Sequence, residues 1–391
     1  MNPRDISELK RRLNPEHRNP TVIRGCYVAG DGHVISTFVE ELYNMPEGEL
    51  EKYMAIFKKT LSGTIGQNLL PVTFSSEQTM HGEEHRLLMS LRESALRDDE
   101  AVEALYQKII ACIQASQANA MQSVAEAQAA GNYLILLMHD GYDVPYKDRN
   151  GDNDRERSSE VFNYVICSVC TVKQTKPALS YFAAESEFHS KESDWIVAAP
   201  EMGFLFPAFE ERSADIHSAL YYSRSSADLH DDFIQAVFAA DPFMPADEQK
   251  ETFQGILSDA LGEECSLDVV QAVHETVCTM IEERKADKHA DPLALTRKDV
   301  KAVLETCGVS EQKAEAFEEK FTDTFGAYAE IPAVNMVTPK KFQVQTPSVN
   351  ITVDPEFSHL IETRVIDGRS YILVLADGDV AVNGVSVKIN Q

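Results

Sequence analysis

Two hydrophobic rhythms divide this chain: apolar residues at helical spacing in some stretches, and at every second position or in short continuous runs in others. Ile6, Leu9 and Leu13 lie three and four apart ahead of Pro15, which predicts a short amphipathic helix at the N-terminus. Residues 21–27 and 34–39 are β-rich runs around Gly30-Asp31-Gly32, the pattern of a hairpin. A helix is expected from about Pro46, with Leu50, Tyr53, Met54, Phe57 and Leu61 on one face and an end near Gly63. Residues 68–74 read as a strand, and helices follow over about 83–96 and 100–130. Residues 132–139 and 161–172 have the apolar, β-branched character of buried strands. Between them, residues 140–160 are polar and too long for a tight turn, which predicts a mobile or functional loop.

From about Ser213 the pattern turns helical. One helix carries Phe233, Val237 and Phe238; another, after Pro245, carries Phe253, Ile256, Leu257 and Leu261. A third, from Ser266, carries Val270, Val273, Val277 and Ile281. Thr296-Arg297-Lys298-Asp299 has the form of a capping box, and Gly308 suits the position just past the helix it opens. The helix from Ser310 is expected to bury Ala314, Phe317 and Phe321. Period two then returns with three turn signals, Asp367-Gly368, Asp377-Gly378 and Asn383-Gly384, predicting a C-terminal antiparallel β-meander. The fold class expected is α+β, in four segments: a basic N-terminal arm (1–24), an α+β domain (25–212), an acidic helical region (213–331) and the β-meander (332–391).

Charge changes this picture in one place. The 391 residues carry 36 Lys and Arg against 63 Asp and Glu, a formal charge of −27, which repels nucleic acid and anionic lipid from most of the surface. Residues 61–331 hold 22 basic and 48 acidic residues, whereas residues 1–24 hold six basic and three acidic. Arg4, Lys10, Arg11, Arg12 and Arg18 are therefore the candidate nucleic-acid contact, and nucleic acid is expected as a partner only through them. No signal-peptide pattern opens the chain, and the longest clean apolar run, 133–138, is far short of a membrane span. Seven cysteines, four of them in apolar surroundings, fit a reduced compartment. A soluble cytoplasmic protein without membrane contact is expected.

Each motif of possible chemistry has a plainer reading beside it. His81-Gly82-Glu83-Glu84-His85 matches the His-x-x-Glu-His zinc signature, in which His81 and His85 would grip the metal and Glu84 activate water. That geometry needs both histidines on one helix face, and Gly82 suggests that the helix only begins here. Cys167 and Cys170 sit three apart in a strand and so point to opposite faces. The acidic run 148–154 departs from the calcium-loop pattern at its sixth and twelfth positions, Asn153 and Ser159. His274 and Cys278 share a helix face without a second histidine. Residues 304–310 resemble the turn of a DNA-binding helix-turn-helix, but the following helix carries five acids against two lysines and would be repelled from the groove. Met202-Gly203-Phe204-Leu205-Phe206-Pro207-Ala208-Phe209 is apolar and irregular, which suits an interdomain core segment or a partner-binding edge.

Across nearly its whole length the chain resembles a bacterial family described only as a domain of unknown function. The segments that carry the resemblance are 24–28, 57–63, 203–209, 219–222 and 245–253. More distantly, its order of elements resembles the acidic nucleoid-associated proteins (NdpA family): a long helix into 133–138, helices around 232–238, and Gly308-Val309-Ser310 ahead of a β-rich end. That likeness implies a bacterial cytoplasmic protein at the nucleoid. The function expected is non-enzymatic association with protein partners or with itself, using no cofactor, with Phe204, Leu205, Phe206 and Phe209 as the candidate partner surface. The alternatives are a metal-dependent hydrolase using His81, Glu84 and His85, and a small-ligand binder with its pocket beneath the 140–160 loop.

Overall fold

Apolar side chains on both faces of the central strands dictate a sheet covered on both sides, and the first unit of the chain, Met1–Pro245, is built that way. The computed structural model describes residues 1–14, 22–120, 131–147, 153–210, 212–287, 290–376, 378, 380–382 and 384–387. The strands of this unit are β1 (Val22–Val28), β2 (Val34–Glu41), β3 (Leu69–Thr73), β4 (Asn132–Lys147), β5 (Asn153–Gln174), β6 (Ala178–Phe182), β7 (Glu187–Lys191), β8 (Trp195–Phe206), β9 (Ala208–Glu210), β10 (Ser213–Asp215) and β11 (Ser218–Ser223). Seven of them form one antiparallel sheet in the order β2-β1-β4-β5-β8-β11-β3. Successive side chains alternate between its faces. Leu134, Leu136, Met138, Tyr164, Ile166 and Leu205 meet α1 (Pro3–Arg12) and α2 (Glu47–Thr60) on one side. A short α3 (Ser76–His81) leads into α4 (Glu83–Glu93), which with α5 (Asp99–Ala120) and α6 (Asp231–Phe238) covers Ile135, Leu137, Cys167, Val169, Phe204 and Tyr221 on the other.

Helix and sheet approach closely at Gly203 in β8. A Cβ there would collide with the Cys167 carbonyl oxygen of the neighbouring strand and stand 2.8 Å from Thr60 Cγ2 at the end of α2. The missing side chain lets α2 settle onto the sheet, where the buried Thr60 and Ser168 hydroxyls share a hydrogen bond of 2.6 Å. Each satisfies the other in a region without solvent.

Three expectations change here. The basic N-terminus is no free arm through residue 14, because Ile6, Leu9 and Leu13 bury their stripe in the core under the sheet. Asn2 caps the helix that presents them, accepting from the Arg4 and Asp5 amides while the Asp5 carboxylate accepts from its own. The division expected at 212/213 falls inside the first unit, since β11 is an inner strand of the sheet and α6 covers it. Most of the 140–160 loop is strand: β4 and β5 keep pairing through Asp140↔Tyr164, Tyr142↔Phe162 and Val144↔Glu160. A ladder is held by its backbone, so polar side chains do not end it.

The second unit, Ala246–Gln391, packs α7 (Ala246–Leu261), α8 (Leu267–Ala286), α9 (Arg297–Thr306) and α10 (Glu311–Phe325) around Phe253, Val277, Ile281, Leu304, Phe317 and Phe321. Thr296 and Asp299 form the expected capping box of α9. A short pair, β12 (Ala294–Thr296) with β13 (Glu330–Pro332), ties the two ends of the α9–α10 hairpin together. The antiparallel end of the chain consists of three successive two-stranded ladders among the described residues: β14 (Phe342–Gln345) with β15 (Asn350–Val353), β16 (Ile361–Ile366) with β17 (Arg369–Val374), and β18 (Val380–Val382) with β19 (Val385–Val387). The Asp367-Gly368 turn between β16 and β17 holds φ at 50° and 74°, the doubly positive geometry that a two-residue hairpin turn takes. Both units together are α+β.

Candidate functional site

The histidine motif separates into three unrelated positions. His81 is exposed in the last turn of α3, and Gly82 breaks the backbone before α4 begins. Glu84 is held by Lys108 Nζ at 3.0 Å. His85 is buried with Nε2 2.9 Å from the Ile216 carbonyl oxygen and its ring edge-on to Phe74 and Phe206. The metal-dependent hydrolase alternative thus lacks its geometry, because the helix break turns the two histidines to different surroundings. No group of three or more His, Cys, Asp or Glu side chains placed to hold a metal occurs among the described residues. Cys167 and Cys170 are buried, and burial drives the Cys167 thiol well above its usual range and pushes Cys170 up to about 12, which keeps both unreactive. His274 places Nδ1 3.7 Å from Cys278 Sγ and Nε2 3.2 Å from the Thr338 carbonyl. Residues 148–152 of the acidic run lie outside the described residues.

The basic cluster is divided as well. Arg12 donates from Nε to Asp140 Oδ2 at 3.3 Å, lies over the Tyr142 ring and is largely buried, so it is a tether of α1 and is unavailable to a ligand. Tyr164 donates to the same Asp140 oxygen at 2.9 Å. One turn earlier, Glu8 accepts from the Tyr142 hydroxyl at 2.7 Å and from Arg212 Nη1 at 2.6 Å. Burial, reinforced by Glu8, pushes Tyr142 up to about 12; burial and Asp140 drive Tyr164 well above its usual range. Two carboxylates, two guanidiniums and two protonated phenols therefore satisfy one another and fasten α1 to β4 and β5. Arg4 and Arg11 are exposed, and Lys10 is half-buried near Lys59, with burial lowering its pKa. Arg18 lies outside the described residues.

Two imidazoles are held below their ordinary range by burial: His139 beside this network, with Arg92 and Arg97 adding to the effect against Asp140, and His274 in α8, where Lys250 adds to it and the Thr338 and Lys341 backbones and Glu275 oppose it. Such a histidine stays neutral in the fold while the unfolded chain takes up its proton near pH 6.5. Its stabilising contribution is full above that pH and is lost as pH falls through the lowered folded value. We expect each unit to lose stability as pH falls below about 6.5. His139→Gln and His274→Gln should flatten that slope in urea titrations of their own units.

Phe204, Leu205, Phe206 and Phe209 are fully buried, so the expected partner surface is core. Phe204, Leu205 and Phe206 end β8, an inner strand whose two faces are both covered, which is why this stretch is apolar without alternation, and Phe209 packs from β9 into the core on the α1–α2 side. An exposed apolar surface lies just upstream. Beyond the last pairs of the β5–β8 ladder, Lys173↔Ile196 and Gln174↔Trp195, the chain leaves the sheet as a two-stranded arm formed by β6 and β7. Its root is closed by the Thr175 amide donating to the Asp194 carbonyl at 2.7 Å and the Asp194 amide donating to Thr175 Oγ1 at 2.8 Å. Tyr181 pairs with Phe188 across the ladder, their ring centroids 5.1 Å apart, and Leu179 lies on the same face. Leu179 is 73% exposed, Phe188 67%, Tyr181 54% and Trp195 55%. At the tip, His189 Nε2 lies 3.0 Å from Glu185 and 3.5 Å from Glu187. The signal in the sequence is the alternation Leu179, Tyr181 and Phe188 beside the chain's single tryptophan.

A family model described as "Domain of unknown function (DUF4317)" matches residues 1–385. No curated protein and no solved structure matches the chain. No helix among the described residues is long and apolar enough to cross a membrane.

Proposed function

The chain belongs to the DUF4317 family, and from that premise we propose that it is a protein-association module that docks a partner on the β6–β7 arm. The observation that carries this reading is the row of Leu179, Tyr181 and Phe188, large apolar side chains on a ladder that is exposed on both faces. An isolated two-stranded hairpin is marginal in water, and large contiguous apolar surface marks an interaction site. Within the same unit, Glu84 and His85, the buried Cys167 and Cys170, and the carboxylates Glu8 and Asp140 are engaged in the packing and hydrogen bonding of the fold. The test replaces Tyr181 with a photo-crosslinking amino acid in the full chain, expressed in its native host. The same residue placed at the exposed Glu251 serves as reference. We expect protein adducts from position 181 that are lost when Leu179→Asp and Phe188→Asp are added. Adducts no more abundant than those from position 251 would overturn the reading.

A further inference from the structure

We infer that the partner seated on the arm is a second copy of this chain, the two arms clasping antiparallel about a twofold axis; this rests on the reading of the arm as a docking element.

Three features of the arm point to its own twin. The first is area. Standard interfaces take about 800 Å² from each partner. Aromatic side chains bring about 150–250 Å² apiece when buried. Leu179, Tyr181, Phe182, Phe188, Trp195 and Ile196 are 38–73% exposed, and together they offer an area of that order to a clasp that covers both faces. The second is charge. Two copies of a chain at −27 repel one another over most of their surface. Residues 173–197 hold three lysines against four carboxylates, so a like-charged molecule meets little repulsion at the arm. Loss of net charge beside exposed aromatics is the composition of interface cores.

The third feature fixes the orientation. The charges of the arm are segregated along its length. Lys173, Lys176 and Lys191 stand at the root with Glu192 and Asp194, a balance of one positive; Glu185 and Glu187 stand at the tip, two negative. Parallel arms would set tip against tip. Antiparallel arms set each acidic tip against the lysines of the opposite root, once on each side of the axis. A single substitution pattern is then felt twice in an isologous contact.

Sedimentation equilibrium on the full chain tests this. Wild type is expected at twice the chain mass at micromolar concentration. Lys173→Glu with Lys176→Glu, and separately Glu185→Lys with Glu187→Lys, should each weaken association about tenfold at low salt, an effect that shrinks as salt screens it. The fourfold variant restores opposite signs across the axis and should return to within about threefold of wild type. All these positions are exposed, so folding measured by circular dichroism should not change. A monomer at 100 μM, or a fourfold variant no better than either pair, overturns the clasp. If the wild type is monomeric while position 181 still crosslinks to proteins, the docking reading stands and self-association fails. If position 181 yields no adducts at all, both fall.

Discussion

Gly203→Ala should destabilise the first unit strongly for the addition of a single methyl group. The added Cβ would press on a backbone carbonyl of β5, which the ladder holds in place, and on Thr60, whose hydroxyl is engaged by Ser168. Neither neighbour is the flexible end of a long side chain. Relief requires α2 to lift from the sheet or β8 to part from β5, and both motions open the core around Phe57, Ile166 and Leu205. Overpacking of this kind reaches about 4 kcal/mol or more, a large share of the roughly 5–15 kcal/mol that holds a domain folded. In a unit of this size that corresponds to about 10 °C in Tm. Thermal unfolding followed by circular dichroism checks it, with Gly255→Ala as the matched control. Gly255 lies exposed within α7 with nothing within 4 Å of an added Cβ, so there the substitution should stabilise by about 0.5–1 kcal/mol through helix propensity alone. Equal behaviour of the two variants would contradict the close approach at Gly203.

Removing Asp140 should be nearly as costly, for an electrostatic reason. Its carboxylate is buried, and it receives both Arg12 and the fully buried Tyr164 hydroxyl. Asp140→Ala leaves a largely buried guanidinium beside a hydroxyl that has lost its acceptor, a loss of about 3–5 kcal/mol. The failure should be local at first. α1 is fastened by its apolar stripe and by these charges, so it should detach before the sheet unfolds. Trypsin cleavage after Lys10, Arg11 or Arg12 under native conditions should therefore accelerate at least tenfold in the variant. Replacing the whole set by apolar residues, Asp140→Leu with Arg12→Met and Tyr164→Phe, should recover most of the loss, because it leaves no uncompensated charge. If the triple variant is no more stable than Asp140→Ala, the ion pair is not what holds the helix.

The parts of this fold legible in the sequence are those that a local pattern decides. The apolar runs at 133–138 and 161–172 declare strands covered on both faces, and Asp367-Gly368 declares a tight hairpin; the structure has both. The capping box at Thr296 and the aromatic stripe of Phe317 and Phe321 are equally local. Long-range partners escape such reading. Arg12 looks like one of five basic residues on a free arm until Asp140, 128 positions later, is found against it. Burial escapes it too. Phe204–Phe206 and Leu179–Phe188 are both apolar, β-prone stretches, and only the sheet order shows that the first is central while the second leaves the sheet. The apolarity of residues 202–209 suited a core segment or a partner-binding edge by local pattern, and it marks the core. The polar stretch 140–160 misled in the opposite sense, since β4 and β5 keep pairing by their backbones at both of its ends.

The position of Trp195 bears on how this protein can be observed. It is the chain's one tryptophan, and in the fold its indole is already 55% exposed at the foot of the arm. While the arm is uncovered its emission is thus solvent-relaxed, and unfolding of the single chain has little red shift left to produce. A tryptophan-detected melt of the monomer would pass through the unfolding of the first unit almost unmarked, and it is blind to the second, which contains no indole. The same indole is a label built into one spot. Any blue shift in the intact protein must come from something that shields the foot of the arm, and at fixed temperature its growth with concentration is a binding curve that needs no dye.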